Sequence, residues 1–308
     1  MGINDYLKKK KKIKIGTRDS KLALKQVDIA INYIKKFYND IEFEIIKIKT
    51  QGDLIKDKPL YEFGGKALFT KEIDNYLLSG RIDIAVHSAK DIDSNYDREI
   101  CFPMILPRQN PKDALISFKY KSLYEMKTGS IIGTCSLRRK EQIKLLRSDL
   151  NFQIIRGNIN SRIDKLQNSN EFDAIILASA GLERINLEGY ISEEFSFDDM
   201  IPCPCQGIIS IACLKSNIFL KQALESKTDH YSNINFQIER KFVEEMNASC
   251  KSTIGFFSEL IENYEKIIIR AIVYNQASGV YKKIKFITKI QNVFEEISLI
   301  SKDLKRYL

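Results

Sequence analysis

Ile131–Leu166 reads IIGTCSLRRKEQIKLLRSDLNFQIIRGNINSRIDKL and repeats one design twice. A short apolar run, Ile131-Ile132 and then Phe152–Ile155, breaks at a glycine and opens into a segment of helical character. Ser136 and Asn158 stand where helix N-caps belong, able to accept from backbone N–H groups that a first turn leaves unpaired. Each break carries arginines: Arg138 and Arg139 first, then Arg156 and Arg162. Cations at a helix N-terminus oppose the macrodipole. Two consecutive turns built this way imply an anion held by guanidinium forks and free N–H groups together.

Outward from this stretch the same order recurs. Toward the N-terminus, the strand Lys14–Thr17 ends at Arg18-Asp19-Ser20, and Ser20 caps a helix reaching about Tyr38 with Leu22, Leu24, Val27, Ile31 and Ile34 as its apolar stripe. Glu42–Lys49 alternates as a second strand. The polar loop 50–66, ending in Gly64-Gly65-Lys66, is long for a compact domain and reads as a lid. Ile82–His87 is a strand of buried parallel character that stops at His87-Ser88-Ala89-Lys90-Asp91. Pro103, Pro107 and Pro111 punctuate a hinge. Beyond the central stretch, the strand Ala174–Ala178 leads into a helix carrying Arg184, and Ile201–Cys213 returns the chain across the hinge.

Strands alternating with helices make both halves α/β with mostly parallel sheets. Ligands of such sheets sit beyond the carboxyl ends of the strands. Arg18, Lys90, Asp91, Arg138, Arg139, Arg156, Arg162 and Arg184 all fall at or just past such ends. After a helix through Phe236–Glu245, three alternating runs (Gly255–Ile261, Lys266–Tyr274, Tyr281–Thr288) and a last helix, Val293–Leu304, read as a small α+β domain with an antiparallel sheet.

Composition narrows the function. The 308 residues are 44% hydrophobic and 29% charged, a globular profile with length for two or three domains. No apolar run has the length of a membrane span, so no membrane partner is expected. The net charge of +9 is lysine spread along the chain, with no Trp and no recognisable nucleic-acid motif. It reads as compositional drift, and no nucleic-acid partner is expected. Lys8–Lys12 reads as a solvated arm. Six cysteines without scaffold spacing point to free thiols in a reducing compartment, the cytoplasm or an organelle reached after loss of a targeting segment. Two histidines and an isolated Cys203-Pro-Cys205 leave no metal site to expect. Seven cations and one carboxylate at strand ends describe a receptor for a small polyanion, either a two-lobed binding protein or an enzyme that stabilises a cationic intermediate.

Six segments then resemble one family. Arg18–Leu24, Gly64-Gly65-Lys66, Ala85–Asp91, Gly133–Arg139, Arg156-Gly157-Asn158 and Asp173–Arg184 are similar, in order and spacing, to the porphobilinogen deaminases, also called hydroxymethylbilane synthases. The resemblance runs from about Lys14 to Gly255. It implies two α/β domains like those of periplasmic binding proteins: domain 1, residues 1–107 plus 202–228, and domain 2, residues 108–201. A third domain, residues 229–308, carries the cofactor cysteine. It implies a dipyrromethane cofactor in thioether linkage to Cys250, and a transferase that adds four porphobilinogen units before hydrolytic release of a linear tetrapyrrole for heme biosynthesis. On this carry-over Lys90, Asp91, Ser136, Arg138, Arg139, Arg162 and Arg184 bind the cofactor, Arg18, Ser20 and Arg156 meet the substrate, and Asp91 is catalytic. A monomer is the family expectation. Three departures stand out. Ala248-Ser249 precede Cys250 in place of glycines, Lys251-Ser252-Thr253 follows it without the usual proline, and Cys205-Gln206-Gly207 replaces Gly-Gln-Gly. Cys135, inside the arginine turn, is the rival thiol.

Overall fold

The computed structural model describes residues 12–54, 70–247 and 253–308. Most of the lysine arm, the larger part of the expected lid with Gly64-Gly65-Lys66, and Cys250 with its neighbours lie outside the described residues. By compactness the chain divides into two units. The first holds residues 12–54, 70–109 and 208–236; the second holds 110–207, 237–247 and 253–308.

The first unit begins with β1 (Lys12–Arg18), α1 (Lys21–Lys35), β2 (Glu42–Ile48), α2 (Lys71–Leu78), β3 (Ile84–Ser88) and β4 (Ile100–Ile105). The second contributes β5 (Asp113–Ile116), β6 (Ile131–Gly133), α3 (Leu137–Leu146), β7 (Asn151–Gln153), α4 (Ile159–Asn168), β8 (Ala174–Ala178), α5 (Ser179–Arg184) and β9 (Glu193–Glu194). β10 (Ile209–Leu214) and α6 (Ile218–Glu225) return to the first, and the division falls inside α7 (His230–Glu245). β11 (Ile254–Ile261), β12 (Lys266–Tyr274), β13 (Tyr281–Lys289) and α8 (Val293–Leu304) complete the second.

The first sheet has the order β2-β1-β3-β10-β4, with β1 parallel to β2 and β3, and β10 antiparallel to β3 and β4. The second has the order β7-β6-β8-β5-β9, with β6 parallel to β7 and β8, and β5 antiparallel to β8 and β9. Both sheets are thus more mixed than the expected, mostly parallel ones. β5 and β10 each follow a passage of the chain from one unit to the other. Neither is preceded by the crossover helix that parallel pairing needs.

Both faces of the second sheet are covered. Leu115, Ile132 and Ile176 pack on one side, and Ala114, Ile116, Ile175 and Leu177 on the other, which is why these strands read as unbroken apolar runs. In the first unit α1 buries Ala23, Gln26, Val27, Ala30 and Ile34, while Leu22, Leu24 and Ile31 are only partly covered. The buried stripe is thus rotated from the expected one and takes in Gln26, whose Nε2 donates to Ser88 Oγ at 2.6 Å. The antiparallel sheet β11-β12-β13 packs within the second unit through Ile201, Phe257 and Ile272, and α7 stacks Phe242 on Phe256 at 4.1 Å. Gly255 is required there: a Cβ would lie 2.7 Å from the Ile201 carbonyl oxygen. Among the described residues no helix is long and apolar enough to cross a membrane.

Candidate functional site

Each unit presents one edge at the carboxyl ends of its parallel strands, and the residues singled out in the sequence sit on those two edges. In the first unit Arg18 is the last residue of β1, and Ser20 caps α1, its side chain accepting from Ala23 N–H at 3.2 Å. Lys90 and Asp91 are half-buried in a single 3₁₀ turn, Ala89–Asp91, directly after β3. Ala89 N–H donates to the Ile208 carbonyl at 3.0 Å, which fixes that turn to the start of β10. Asp91 forms no hydrogen bond or ion pair with any described residue. A half-buried carboxylate in that state is available to a ligand.

Behind this turn lie two buried titratable groups. His87 Nε2 stands 3.9 Å from Asp74 Oδ1, too far for a hydrogen bond. Burial pushes the Asp74 carboxyl up to about 7 and the His87 imidazole down to about 4. Asp74 therefore gains a proton on folding between about pH 4 and 7, and its contribution to stability falls as pH rises through that window. His87 loses one on folding between about pH 4 and 6.5, and its contribution falls as pH drops. Where the windows overlap the two slopes cancel.

In the second unit the helix N-caps are as expected. Ser136 Oγ accepts from Arg139 N–H at 3.4 Å, and Asn158 Oδ1 from Ser161 N–H at 2.9 Å. The anion opposite Arg138 and Arg139, however, is internal. Asp113, the first residue of β5 and fully buried, lies with Oδ2 2.7 Å from Arg138 Nη1 and with Oδ1 2.9 Å and 2.7 Å from Arg139 Nε and Nη2. Burial alone would raise its pKa, but the two guanidiniums outweigh that and hold the carboxyl well below its usual range. Arg138 Nη1 also donates to the Ile201 carbonyl at 2.8 Å, and Arg139 Nη1 to that of Ile176 at 2.9 Å. The inference that two arginines at a helix start demand an anion holds for this turn, but a side chain of the protein meets the demand.

The second arginine turn differs. Arg162, on α4, is half-buried and donates through Nε to the Gly157 carbonyl at 2.7 Å. Among the described residues it faces no carboxylate. Desolvation lowers its pKa first; the neighbouring Cys135 opposes this, and the guanidiniums of Arg139 and Arg156 lower it further. Arg162 itself is the guanidinium here that no described carboxylate faces. Gly157 makes the turn possible: its φ is +118°, and a Cβ would lie 2.1 Å from Ser161 Oγ. Arg184, at the end of α5, is buried and donates to the Gly207 carbonyl at 2.9 Å. Cys135 is half-buried beside the Arg162 guanidinium.

Three supports escaped the sequence reading. Asp113 is the first; an acid opening the apolar strand Asp113–Ile116 was the available signal. Gln142 is the second, exchanging hydrogen bonds with Ile201 through Nε2 at 3.0 Å and Oε1 at 2.7 Å. The third is Glu239, buried on α7, which accepts from Ser258 N–H and Oγ and from Cys205 N–H. Cys205, where the resemblance expects glycine, has φ +60°. A side chain in that left-handed region costs about 1–2 kcal/mol; the Glu239 contact helps to hold it there. Thr253, the first described residue after Cys250, is tied through Oγ1 and C=O to the backbone of Tyr274. No group of three or more potential metal ligands occurs among the described residues.

Known proteins match this chain along most of its length. The family described as "Porphobilinogen deaminase, dipyromethane cofactor binding domain" matches residues 13–222. The porphobilinogen deaminase of Rickettsia canadensis is 39% identical over 283 residues, covering 91% of this chain and 92% of that protein. That of Natranaerobius thermophilus is 44% identical over 254 residues, 82% of this chain and 81% of its own. The porphobilinogen deaminase of Campylobacter lari is 40% identical over 293 residues, 94% of each. Among solved structures, the VFT2 domain of Bordetella pertussis BvgS aligns with a TM-score of 0.46 at 11% identity, covering 77% of this chain and 95% of that one.

Proposed function

The chain belongs to the porphobilinogen deaminase family, and from that membership we propose that it is a hydroxymethylbilane synthase. It deaminates porphobilinogen, joins four units head to tail on a covalently held dipyrromethane primer and hydrolyses the linear tetrapyrrole free, within heme and tetrapyrrole biosynthesis. The observation that carries this reading is Arg162, half-buried among other guanidiniums with no carboxylate opposite it among the described residues. The residues present fit the primer. Each of its pyrroles bears an acetate and a propionate, the complement of a guanidinium that no described carboxylate faces.

Bound through Cys250, dipyrromethane supplies the free pyrrole carbon at which the chain is extended. Arg162, Arg184 and Ser136, with Lys90, hold its carboxylates. Arg138 and Arg139 contribute the N–H groups that Asp113 and the backbone leave over. Arg18, Ser20 and Arg156 meet the carboxylates of the incoming porphobilinogen. Asp91 accepts from pyrrole N–H groups and stabilises the positive charge that develops on porphobilinogen as ammonia departs; a fixed carboxylate at that place needs no reorganisation. The division of labour follows three domains, 1–107 plus 202–228, 108–201 and 229–308, with the segment 50–66 as lid. The protein works as a monomer in the cytoplasm, without a nucleic-acid or membrane partner.

Intact mass followed by peptide mapping tests the reading. The expected result is an increment of two linked pyrrole units on Cys250. The same increment on Cys135 would move the primer and overturn the cysteine assignment. No increment after incubation with porphobilinogen would refute the activity.

A further inference from the structure

Two cysteines that the proposed chemistry does not use face one another in the first unit. Cys101 on β4 and Cys213 on β10 are direct partners in the antiparallel pairing, with Sγ atoms 3.8 Å apart. Directly opposed residues in such a pair have Cα atoms about 4.5–5.5 Å apart, inside the range of roughly 4.4–6.8 Å that a disulfide spans. β4 is an edge strand, and Cys101 on it is half-buried, whereas Cys213 is fully buried. The register shifts between Ile211 and Cys213, so the ladder is already irregular where the sulfurs would have to close up. We infer that Cys101 and Cys213 are a redox-active thiol pair, converted to a reversible disulfide by a low-molecular-weight disulfide such as oxidised glutathione.

The surroundings assign the roles. The hydrogen bond with Cys213 lowers the Cys101 pKa, and the ammonium groups of Lys221 and Lys215 add to this against burial and the opposing charge of Glu225. The bond with Cys101, and then burial, raise that of Cys213. Cys101, half-buried on the edge strand, is the thiol that a glutathione disulfide can reach, whereas Cys213 is buried; Cys101 is therefore the attacking thiolate. It displaces one glutathione thiolate from the oxidised dimer and leaves a mixed disulfide. Cys213 then attacks the Cys101 sulfur, passes its proton to the second leaving glutathione, and closes the protein disulfide. Two thiols of the protein are oxidised and one glutathione disulfide is reduced to two thiols. Cytosolic disulfides are of this transient kind.

The test uses the full-length protein in buffers of graded oxidised-to-reduced glutathione ratio, with alkylation and peptide mass mapping. Oxidation should produce a cross-linked Cys101–Cys213 peptide lighter by two hydrogens, and dithiothreitol should reverse it. In Cys213→Ala, Cys101 should stop at the glutathione mixed disulfide. Two results from the wild type would overturn the inference, and neither depends on the variant folding. One is a mixed disulfide that accumulates on Cys101 without closing. The other is a Cys101 that stays fully alkylatable at every ratio.

Discussion

Replacing Asp113 with asparagine removes one charge and almost no volume from beneath the arginine turn. The wild-type carboxylate is fully buried, in contact at 2.7–2.9 Å with Arg138 Nη1, Arg139 Nε and Arg139 Nη2, and it accepts from Gln206 Nε2 at 3.1 Å. At an effective dielectric of about 20, each unit charge roughly 4 Å away is worth ~4 kcal/mol. Asparagine keeps one acceptor oxygen and turns an NH₂ group toward a guanidinium. Breaking a buried ion pair from one side costs about 3–5 kcal/mol. With two guanidiniums left facing a neutral amide, D113N belongs at the upper end of that range. The pH dependence follows from the direction of the shift. Despite its burial, the guanidiniums depress the pKa of Asp113 in the folded state. Its stabilisation is complete above the unfolded value near 4 and is lost as pH falls toward the lower folded value. The gap between wild type and variant should therefore stay level from about pH 8 to 5 and narrow only below about 4. Urea unfolding followed by far-ultraviolet circular dichroism at several pH values measures it. A gap below about 1 kcal/mol, or one that shrinks between pH 7 and 5, would refute the reasoning.

Asp91→Ala removes a carboxylate with no partner among the described residues, so stability should change by less than about 0.5 kcal/mol while porphobilinogen turnover falls at least ~10²-fold. Near-normal turnover would remove Asp91 from the chemistry. Gly157→Ala meets both a φ of +118° and Ser161 Oγ, and should cost about 1–3 kcal/mol. Gly189→Ala, with open space at its Cβ, should cost next to nothing, and equal melting temperatures for the two would count against the turn geometry. Asp74→Asn removes the group that takes up a proton on folding, so its stability deficit against wild type should grow as pH falls from about 7 to 4, by roughly 1.4 kcal/mol per pH unit. A deficit that stays constant across that window would show that Asp74 is not held protonated.

The parts of the fold that were legible are those set by local chemistry. β12 and α8 run over Lys266–Tyr274 and Val293–Leu304, the limits that alternation and periodicity predict, and Ser136 and Asn158 cap as read. The packing of α3 was not legible. Its buried face is Arg138, Arg139, Glu141, Gln142 and Ile143, so it has no apolar stripe, and its partners lie far off in the chain at Asp113 and Ile201. Nor could alternation disclose that β5 and β10 run antiparallel, since a strand buried on both faces reads the same in either direction.

The two arginine turns show where local reasoning stops. The electrostatic rule applied to both is the same: cations gathered at a helix start need an anion. Nothing within either turn says where that anion comes from. For Arg138 and Arg139 it is Asp113, 25 and 26 positions earlier in the sequence and brought opposite them by β5. For Arg162 no such strand delivers one among the described residues, and its charged neighbours are the guanidiniums of Arg139 and Arg156, with the Cys135 thiol beside it. If both turns had been neutralised internally, the edge would be a structural ion-pair network with nothing to bind. If neither had been, the folded protein without ligand would carry four uncompensated guanidiniums close together, at several kcal/mol of mutual repulsion. An arginine pair satisfied by Asp113, beside an Arg162 that faces no carboxylate among the described residues, allows the edge to be stable empty and still attract a polycarboxylate, and it makes Arg162, rather than the more conspicuous Arg138-Arg139 pair, the residue on which ligand affinity should chiefly depend.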